Sequence, residues 1–147
     1  GDYEKGKITL INNTTYNQWY DVNYVLRVID MHINGGTLKL EGTTKNGIIY
    51  TEKDAKLVFE NCDVFITSTN DGNGIRAQEG NETITIENTA QIKITGSDIP
   101  IGCWNGSSPV KLYIRGNFVV DSYRGTIGEW DDKTIIVEGA INYINHR

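Results

Sequence analysis

Apolar and polar residues alternate along most of the chain, in runs that are too short for helices. In the segment KLVFENCDVFITS (56–68), the apolar positions Leu57, Phe59, Val64 and Ile66 lie on either side of a central Glu-Asn pair. Alternation with a period of two indicates β-strands, whereas a helix repeats its apolar positions every three or four residues. Asn and Gly tolerate the left-handed backbone angles of a tight turn. The pattern therefore predicts pairs of short strands around a bend.

These alternating segments recur at a nearly constant spacing. One row of isoleucines is evenly spaced, with a step of about 26 residues, within the range typical of solenoid repeats; its members are Ile49, Ile75, Ile101 and Ile127. A second row follows nearly the same step, namely Leu38, Val64, Ile92, Phe118 and Ile141. Two strands around each turn and one at each isoleucine predict three short strands per repeat. Such repeats must stack to bury their apolar sides.

We therefore predict an all-β chain that folds as a short right-handed parallel β-helix. It would have about four to five rungs of ~26 residues, each stacked ~4.8 Å above the last. A β-propeller is disfavoured, because its blades repeat every ~40–50 residues and use four strands. A leucine-rich repeat is disfavoured as well, because its Leu-x-x-Leu-x-Leu frame is absent.

The segment 1–30 fits the repeat poorly and is rich in aromatic side chains. A solenoid end exposes apolar core and unpaired strand edges, which need covering. We expect one domain over 1–147, with 1–30 as a cap or irregular first rung and 31–145 as the repeats. The cap candidates, for which a ligand platform is the alternative, are Tyr16, Trp19, Tyr20 and Tyr24. At the other end, a partner copy, the charged tail or a longer chain would cover the last rung.

Two tryptophans fall in the same column of the repeat register. Trp104 and Trp130 each follow a row isoleucine by three positions, so a regular strand would place both rings on the surface, one above the other. Aromatic faces beside carboxylates and amides suit sugar rings, which stack on the ring and hydrogen-bond through their hydroxyls. The neighbours with that chemistry are Asn105, Tyr123, Arg124, Glu129 and Asp132. The alternative is an aromatic ladder that stabilises the solenoid without a ligand.

A loop rich in Asp, Asn and Gly raises the question of calcium. Asn70, Asp71 and Asn73 offer oxygen ligands of the kind that Ca²⁺ prefers. The spacing of an EF-hand is absent, and turn chemistry alone also accounts for the stretch. Calcium is therefore the one cofactor that the sequence leaves open.

Catalysis has little support in the residues. The acidic group around Trp130 is typical of a solvated turn, and neither histidine can be assigned to a Ser–His–Asp relation. The net charge of −5 argues against nucleic acid as a partner, and the chain lacks an apolar run long enough to predict a membrane span. Cys62 and Cys103 lack metal-ligand spacing, so we interpret them as small buried residues.

The clearest repeat, GNGIRAQEGNETITIENTAQIKITGS (72–97), resembles those of right-handed parallel β-helix proteins of the pectate-lyase-like class. It resembles in particular the small bacterial carbohydrate-binding β-helix domains. The resemblance covers 31–145 and rests on the rung pattern. It implies recognition of acidic polysaccharide, sometimes with calcium, by an extracellular or cell-surface module. The clustered aspartates and nearby arginine of the lyases are absent, which favours binding over catalysis. The alternatives are a structural or adhesive segment, such as an adhesin or phage tail-fibre piece, and a partial polysaccharide lyase.

Overall fold

The computed structural model consists of strands joined by turns and bends, with no helix among the residues that it describes. Those residues are 2–4, 7–12, 26–42, 48–68, 73–77, 80–96, 99–103, 109–121 and 135–144. The strands are β1 (Asp2–Glu4), β2 (Lys7–Asn12), β3 (Leu26–Asn34), β4 (Thr37–Gly42), β5 (Ile49–Glu60), β6 (Asp63–Ser68), β7 (Asn73–Ala77), β8 (Thr83–Ile86), β9 (Gln91–Thr95), β10 (Ile99–Cys103), β11 (Val110–Ile114), β12 (Asn117–Asp121), β13 (Ile135–Glu138) and β14 (Asn142–Ile144).

The strands form two main parallel sheets and a third face. Sheet 1 has the order β1-β3-β5-β8-β11-β13, and sheet 2 has the order β14-β12-β9-β6-β4-β2. The third face contains β7 and β10, which pair in parallel with each other, and β7 also pairs with the beginning of β5. The rest of β5 pairs with β8 in sheet 1, so this one strand passes from the third face to the first. The chain therefore winds through three faces in turn, as a parallel β-solenoid.

The register confirms the predicted repeat. On the third face, Ile75 is the partner of both Ile49 and Ile101, at the interval that the sequence pattern predicts. In sheet 2, the second apolar row is stacked in the predicted order, namely Leu38, Val64, Ile92 and Phe118. Residues one turn apart in sequence are thus vertical neighbours. Ile127 lies outside the described residues.

The apolar positions that alternate in the sequence form the interior. Leu57, Phe59, Val64 and Ile66 are all fully buried, as the period-two pattern predicts. One continuous cluster runs through the stacked turns and includes residues from both sheets and the third face. Each turn contributes a thin layer to this core, so burial depends on the turns above and below it.

The number of rungs is slightly smaller than predicted. The structure has about three turns, whereas the sequence pattern counts four to five. Three turns pass through all three faces with described side chains, namely 30–51, 56–77 and 83–103. The outer strands of each sheet belong to turns that the described residues cover only in part. Counting strand rows in the sequence therefore gives more rungs than there are complete turns.

The ladders also extend into the segment assigned to the cap. β1 pairs with β3 in sheet 1, and β2 pairs with β4 in sheet 2. The four aromatic cap candidates belong to 13–25, outside the part of the chain that the structure describes. The division into cap and repeats stays a prediction.

Asparagine side chains join successive turns between sheet 1 and sheet 2. The Asn61 side-chain amide donates to Oδ1 of Asn34 at 2.9 Å, and its backbone N–H donates to Oγ1 of Thr89 at 2.9 Å. Asn61 has a φ of 50°, a left-handed angle that Asn tolerates better than most residues. A similar hydrogen bond lies in the last described turns, where the Asn142 side-chain amide donates to Oδ1 of Asn117 at 3.1 Å. These bonds satisfy polar groups at the corner and connect the stacked turns.

Cys62 follows the same corner and is buried, as the sequence predicts for it. Burial raises the pKa of its thiol to about 11, and the nearby charge of Asp63 adds to this shift. Because the thiolate is the reactive form, we expect Cys62 to react with a thiol reagent at pH 8 at least about tenfold more slowly in the folded chain than in urea. Rates measured in a Cys103→Ser background isolate this one thiol, and equal rates in both states would contradict the prediction.

Among the residues that the structure describes, no helix is long and apolar enough to cross a membrane.

Candidate functional site

The tryptophan column and its polar neighbours fall outside the described residues. This applies to Trp104, Asn105, Tyr123, Arg124, Glu129, Trp130 and Asp132. The third-face register reaches Cys103, the residue directly before Trp104, and pairs it with Ala77. Ala77 in turn pairs with Thr51. The described ladder therefore ends directly before Trp104, the rung of Trp130 lies outside the described residues, and the site itself stays a prediction.

The predicted calcium ligands are also mostly outside the described part. Asn70 and Asp71 lie outside it, and Asn73 is described only as the backbone start of β7. Among the residues that are described, no three His, Cys, Asp or Glu side chains come together in a group that could hold a metal ion. The calcium prediction is therefore neither supported nor contradicted.

The outer face of sheet 2 brings together side chains of a kind that binds polar ligands. In the register, Phe65 of β6 is flanked by Lys39 of β4 and Lys93 of β9. These residues alternate with buried ones, so they face outward, and the phenyl ring of Phe65 is half-buried. Adjacent strands lie ~4.8 Å apart, which places one of these side chains on each turn. We call this set the Lys–Phe–Lys column.

A groove of about 340 Å³ lies beside the column, lined by Lys39, Leu40, Glu41, Phe65 and Thr67. Its volume falls at the lower end of the range typical of small-ligand sites. The ammonium of Lys39 lies 5.9 Å from the centre of the Phe65 ring, within the range of a cation–π interaction. The groove thus combines an aromatic surface with a cation.

The polar side chains next to the column extend the same chemistry along the solenoid axis. Glu41 and Thr67 are paired in register, and Thr95 follows on the next turn. Carboxylates accept hydrogen bonds, hydroxyls both donate and accept them, and ammonium groups donate them. The groove residues include no histidine, cysteine or serine that would form a nucleophile–base pair. The groove therefore presents hydrogen-bond donors and acceptors beside an aromatic ring.

The outer face of sheet 1 differs, because two ion pairs link side chains of successive turns there. Nε2 of His32 lies 2.5 Å from Oε2 of Glu60, one turn away. The Arg115 guanidinium donates to Oε1 of Glu87 at 3.0 Å, again across one turn. Exposed pairs of this kind contribute little stability, yet they engage the groups that a ligand would need.

A polar cluster also lies inside the solenoid, at the corner between the third face and sheet 1. Glu82 and Thr51 are fully buried, and the Thr51 hydroxyl lies 3.2 Å from Oε2 of Glu82. The same hydroxyl lies 3.3 Å from the backbone carbonyl of Arg76. Burial lowers the pKa of the Arg76 guanidinium, and the charge of Tyr50 partly offsets this. Buried polar groups need such partners, so we assign this cluster to the structure of the corner.

The Lys–Phe–Lys column was missed in the sequence, although the signal for it was present. Its members are separated by the same steps that relate the apolar residues Leu38, Val64 and Ile92. The residue that directly follows each member of that apolar row belongs to the outward column. A search of the outward positions for aligned aromatic and charged residues would have identified it.

Comparisons with protein-family models, curated proteins and solved structures found no match to this chain. The coarser assignment, an all-strand parallel β-solenoid, is shown by the structure itself.

Proposed function

We propose that the chain is a non-catalytic module that binds polysaccharide along an exposed face of its β-solenoid, as part of a bacterial surface or secreted protein. The observation that carries the proposal is the groove beside Phe65, where an aromatic ring, an ammonium, a carboxylate and a hydroxyl converge. A sugar presents an apolar C–H face and a rim of hydroxyls, so it can use all four groups at once.

The repeating nature of the face supports a polymer as the ligand rather than a single sugar. Successive turns present Lys39, Phe65 and Lys93 along one line, and the adjacent line carries Glu41, Thr67 and Thr95. A linear glycan that lies along the solenoid axis would contact one member of each line at every turn. The two lysines suit carboxylate groups on such a chain, which agrees with the acidic polysaccharide implied by the sequence resemblance.

The tryptophan column belongs to the same proposal as a second platform. Trp104 and Trp130 would stack sugar rings, with Asn105, Glu129 and Asp132 beside them. This platform follows the third face, whereas the Lys–Phe–Lys column lies on sheet 2. The two can be tested independently, because no residue belongs to both.

We expect Phe65→Ala to weaken binding to the polysaccharide that the chain retains by about tenfold, or about 1.4 kcal/mol, since the aromatic platform is lost. The measurement is affinity electrophoresis in gels that contain polygalacturonate or a neutral glucan, followed by titration calorimetry. Tyr113→Ala is the matched control, because Tyr113 is also an outward, half-buried aromatic residue but lies on sheet 1.

The outcomes separate the two platforms. Loss of retention in Phe65→Ala with normal retention in Tyr113→Ala supports the sheet 2 groove. If retention is lost only in the double variant Trp104→Ala plus Trp130→Ala, the binding site is the tryptophan column. Equal retention in all of these variants, or no retention of the unmodified chain on an array of glycans, would refute polysaccharide binding at either platform.

The alternative, a structural or adhesive solenoid segment, is favoured by a different observation. Within the described part of the chain, the large hydrophobic residues that are exposed all lie on its last two strands, β13 and β14. Contiguous exposed apolar surface is a mark of contacts between proteins.

A further inference from the structure

The C-terminal end of the solenoid exposes apolar residues on both of its sheets. Ile136 and Val137 of β13 are 45% and 39% exposed, and Tyr143 and Ile144 of β14 are 36% and 41% exposed. These two strands are the outermost members of sheet 1 and sheet 2. Among the strands that the structure describes, none pairs with the outer edges of β13 and β14.

Two of these exposed residues belong to the interior columns of the solenoid. Val137 is the register partner of Leu112, and Tyr143 is the register partner of Val120. Leu112 and Val120 are fully buried, because the following turn covers them. The same columns thus continue to the last described turn, where they become accessible. This end has the shape of a turn on which a further turn could stack.

Apart from their short length, the two strands carry few of the features that usually protect an edge. Natural proteins protect edge strands with lysine, proline or a bulge. Of the seven residues in β13 and β14, only Glu138 is charged, and neither proline nor lysine is present. An apolar and nearly uncharged edge with no described neighbour favours pairing with another strand.

We propose that a second copy of this chain docks on this end head to tail, with its β1 beside β13 and its β2 beside β14. At the other end, β1 and β2 begin the same two sheets, and no described strand lies on their outer sides. Every pairing within the two sheets is parallel, so a head-to-tail contact continues both ladders in the same sense.

The alternative two-fold contact between C-terminal ends fits less well. A two-fold axis through the β13 face would place β13 against its counterpart in an antiparallel pair. The same rotation would not place β14 over the β14 of the partner. Only one of the two sheets would continue like for like, whereas head-to-tail docking continues both. A head-to-tail contact that continues the ladders along the solenoid axis does not close into a ring, so it produces chains of molecules.

The test is the mass of the chain in solution, measured by light scattering over a range of concentrations. We expect the weight-average mass of the unmodified chain to at least about double with concentration. Ile136→Lys, on the outward side of β13, and Ile144→Lys, at the end of β14, should each abolish this increase. Val58→Lys is the matched control, because Val58 is an outward apolar residue of β5, away from both ends, and it should leave the increase intact.

A mixing experiment distinguishes the two geometries. Ile8→Lys places a charge in β2, at the opposite end, and should also give a monomer. An equimolar mixture of Ile8→Lys and Ile136→Lys should then form a dimer, because each variant keeps one intact end. The proposal is overturned if the unmodified chain stays monomeric, if Ile136→Lys and Ile144→Lys still associate, or if Ile8→Lys dimerises alone through its C-terminal end.

Discussion

Phe118→Ala is expected to lower the free energy of unfolding by about 3–5 kcal/mol, the usual cost of truncating a buried phenylalanine. Phe118 is fully buried and is stacked on Ile92 of the preceding turn. The cost should be near the upper part of that range, because the cavity has little chance to collapse. β12 is hydrogen-bonded in parallel to β9 on one side and to β14 on the other, which holds the surrounding backbone apart.

Val119→Ala is the matched control for this prediction. Val119 is the next residue of β12, but it faces outward and is only half-buried. Its truncation should cost less than about 1 kcal/mol, as is usual for partly exposed positions. Urea titrations followed by circular dichroism measure both values. Similar losses for the two variants would contradict the assignment of Phe118 to the interior.

The fold was predictable because every turn of a solenoid must place apolar residues at the same interior positions. An apolar residue such as Val64 must lie between Leu38 and Ile92 in the stack, so each apolar column appears in the sequence as a regular spacing. Period-two alternation and the near-constant step between turns are both consequences of stacking. This is why the strands, their parallel order and their register follow from the pattern alone.

The small departures from a constant step have a structural origin at the corners. The step from Leu57 to Ile84 is one position longer than the step from Ile49 to Ile75. The step from Val64 to Ile92 is longer by two positions. One extra residue is therefore accommodated before β8, and a second between β8 and β9. At the second corner, the N–H of Ala90 donates to the carbonyl of Glu87 at 2.9 Å, which closes a turn around the inserted residue. Corners accept such insertions because only the strands must stay in register.

The candidate site was harder to predict, because outward positions are not constrained by packing. Trp104 and Trp130 are conspicuous by residue type, whereas Phe65 is noticeable in the sequence only as part of a strand. The Lys–Phe–Lys column is defined by the side chains one position away from the interior row, and nothing in composition distinguishes them. A groove also depends on the relative lengths of side chains on neighbouring turns, which the sequence does not specify.

Gly116→Ala is the second substitution for which we expect a large loss of stability, about 2–3 kcal/mol. A Cβ at Gly116 would lie far inside contact distance of the carbonyl oxygens of Glu87 and Ala90. Both obstacles are backbone atoms of the preceding turn, so no side-chain rotation can relieve the overlap. The two turns would have to separate at this corner.

That separation should be specific to the corner, because it would stretch the bonds that join the two turns there. The N–H of Gly116 donates to the carbonyl of Ile86 at 3.0 Å, and that of Asn117 donates to the carbonyl of Ala90 at 3.1 Å. Arg115→Ala is the control at the adjacent position, where only an exposed ion pair with Glu87 is lost and a cost of about 0.5 kcal/mol is expected. Amide hydrogen exchange in Gly116→Ala should be fastest at these bonds. A Gly116→Ala variant as stable as Arg115→Ala would show that the turns are not packed as closely at this corner as the structure describes.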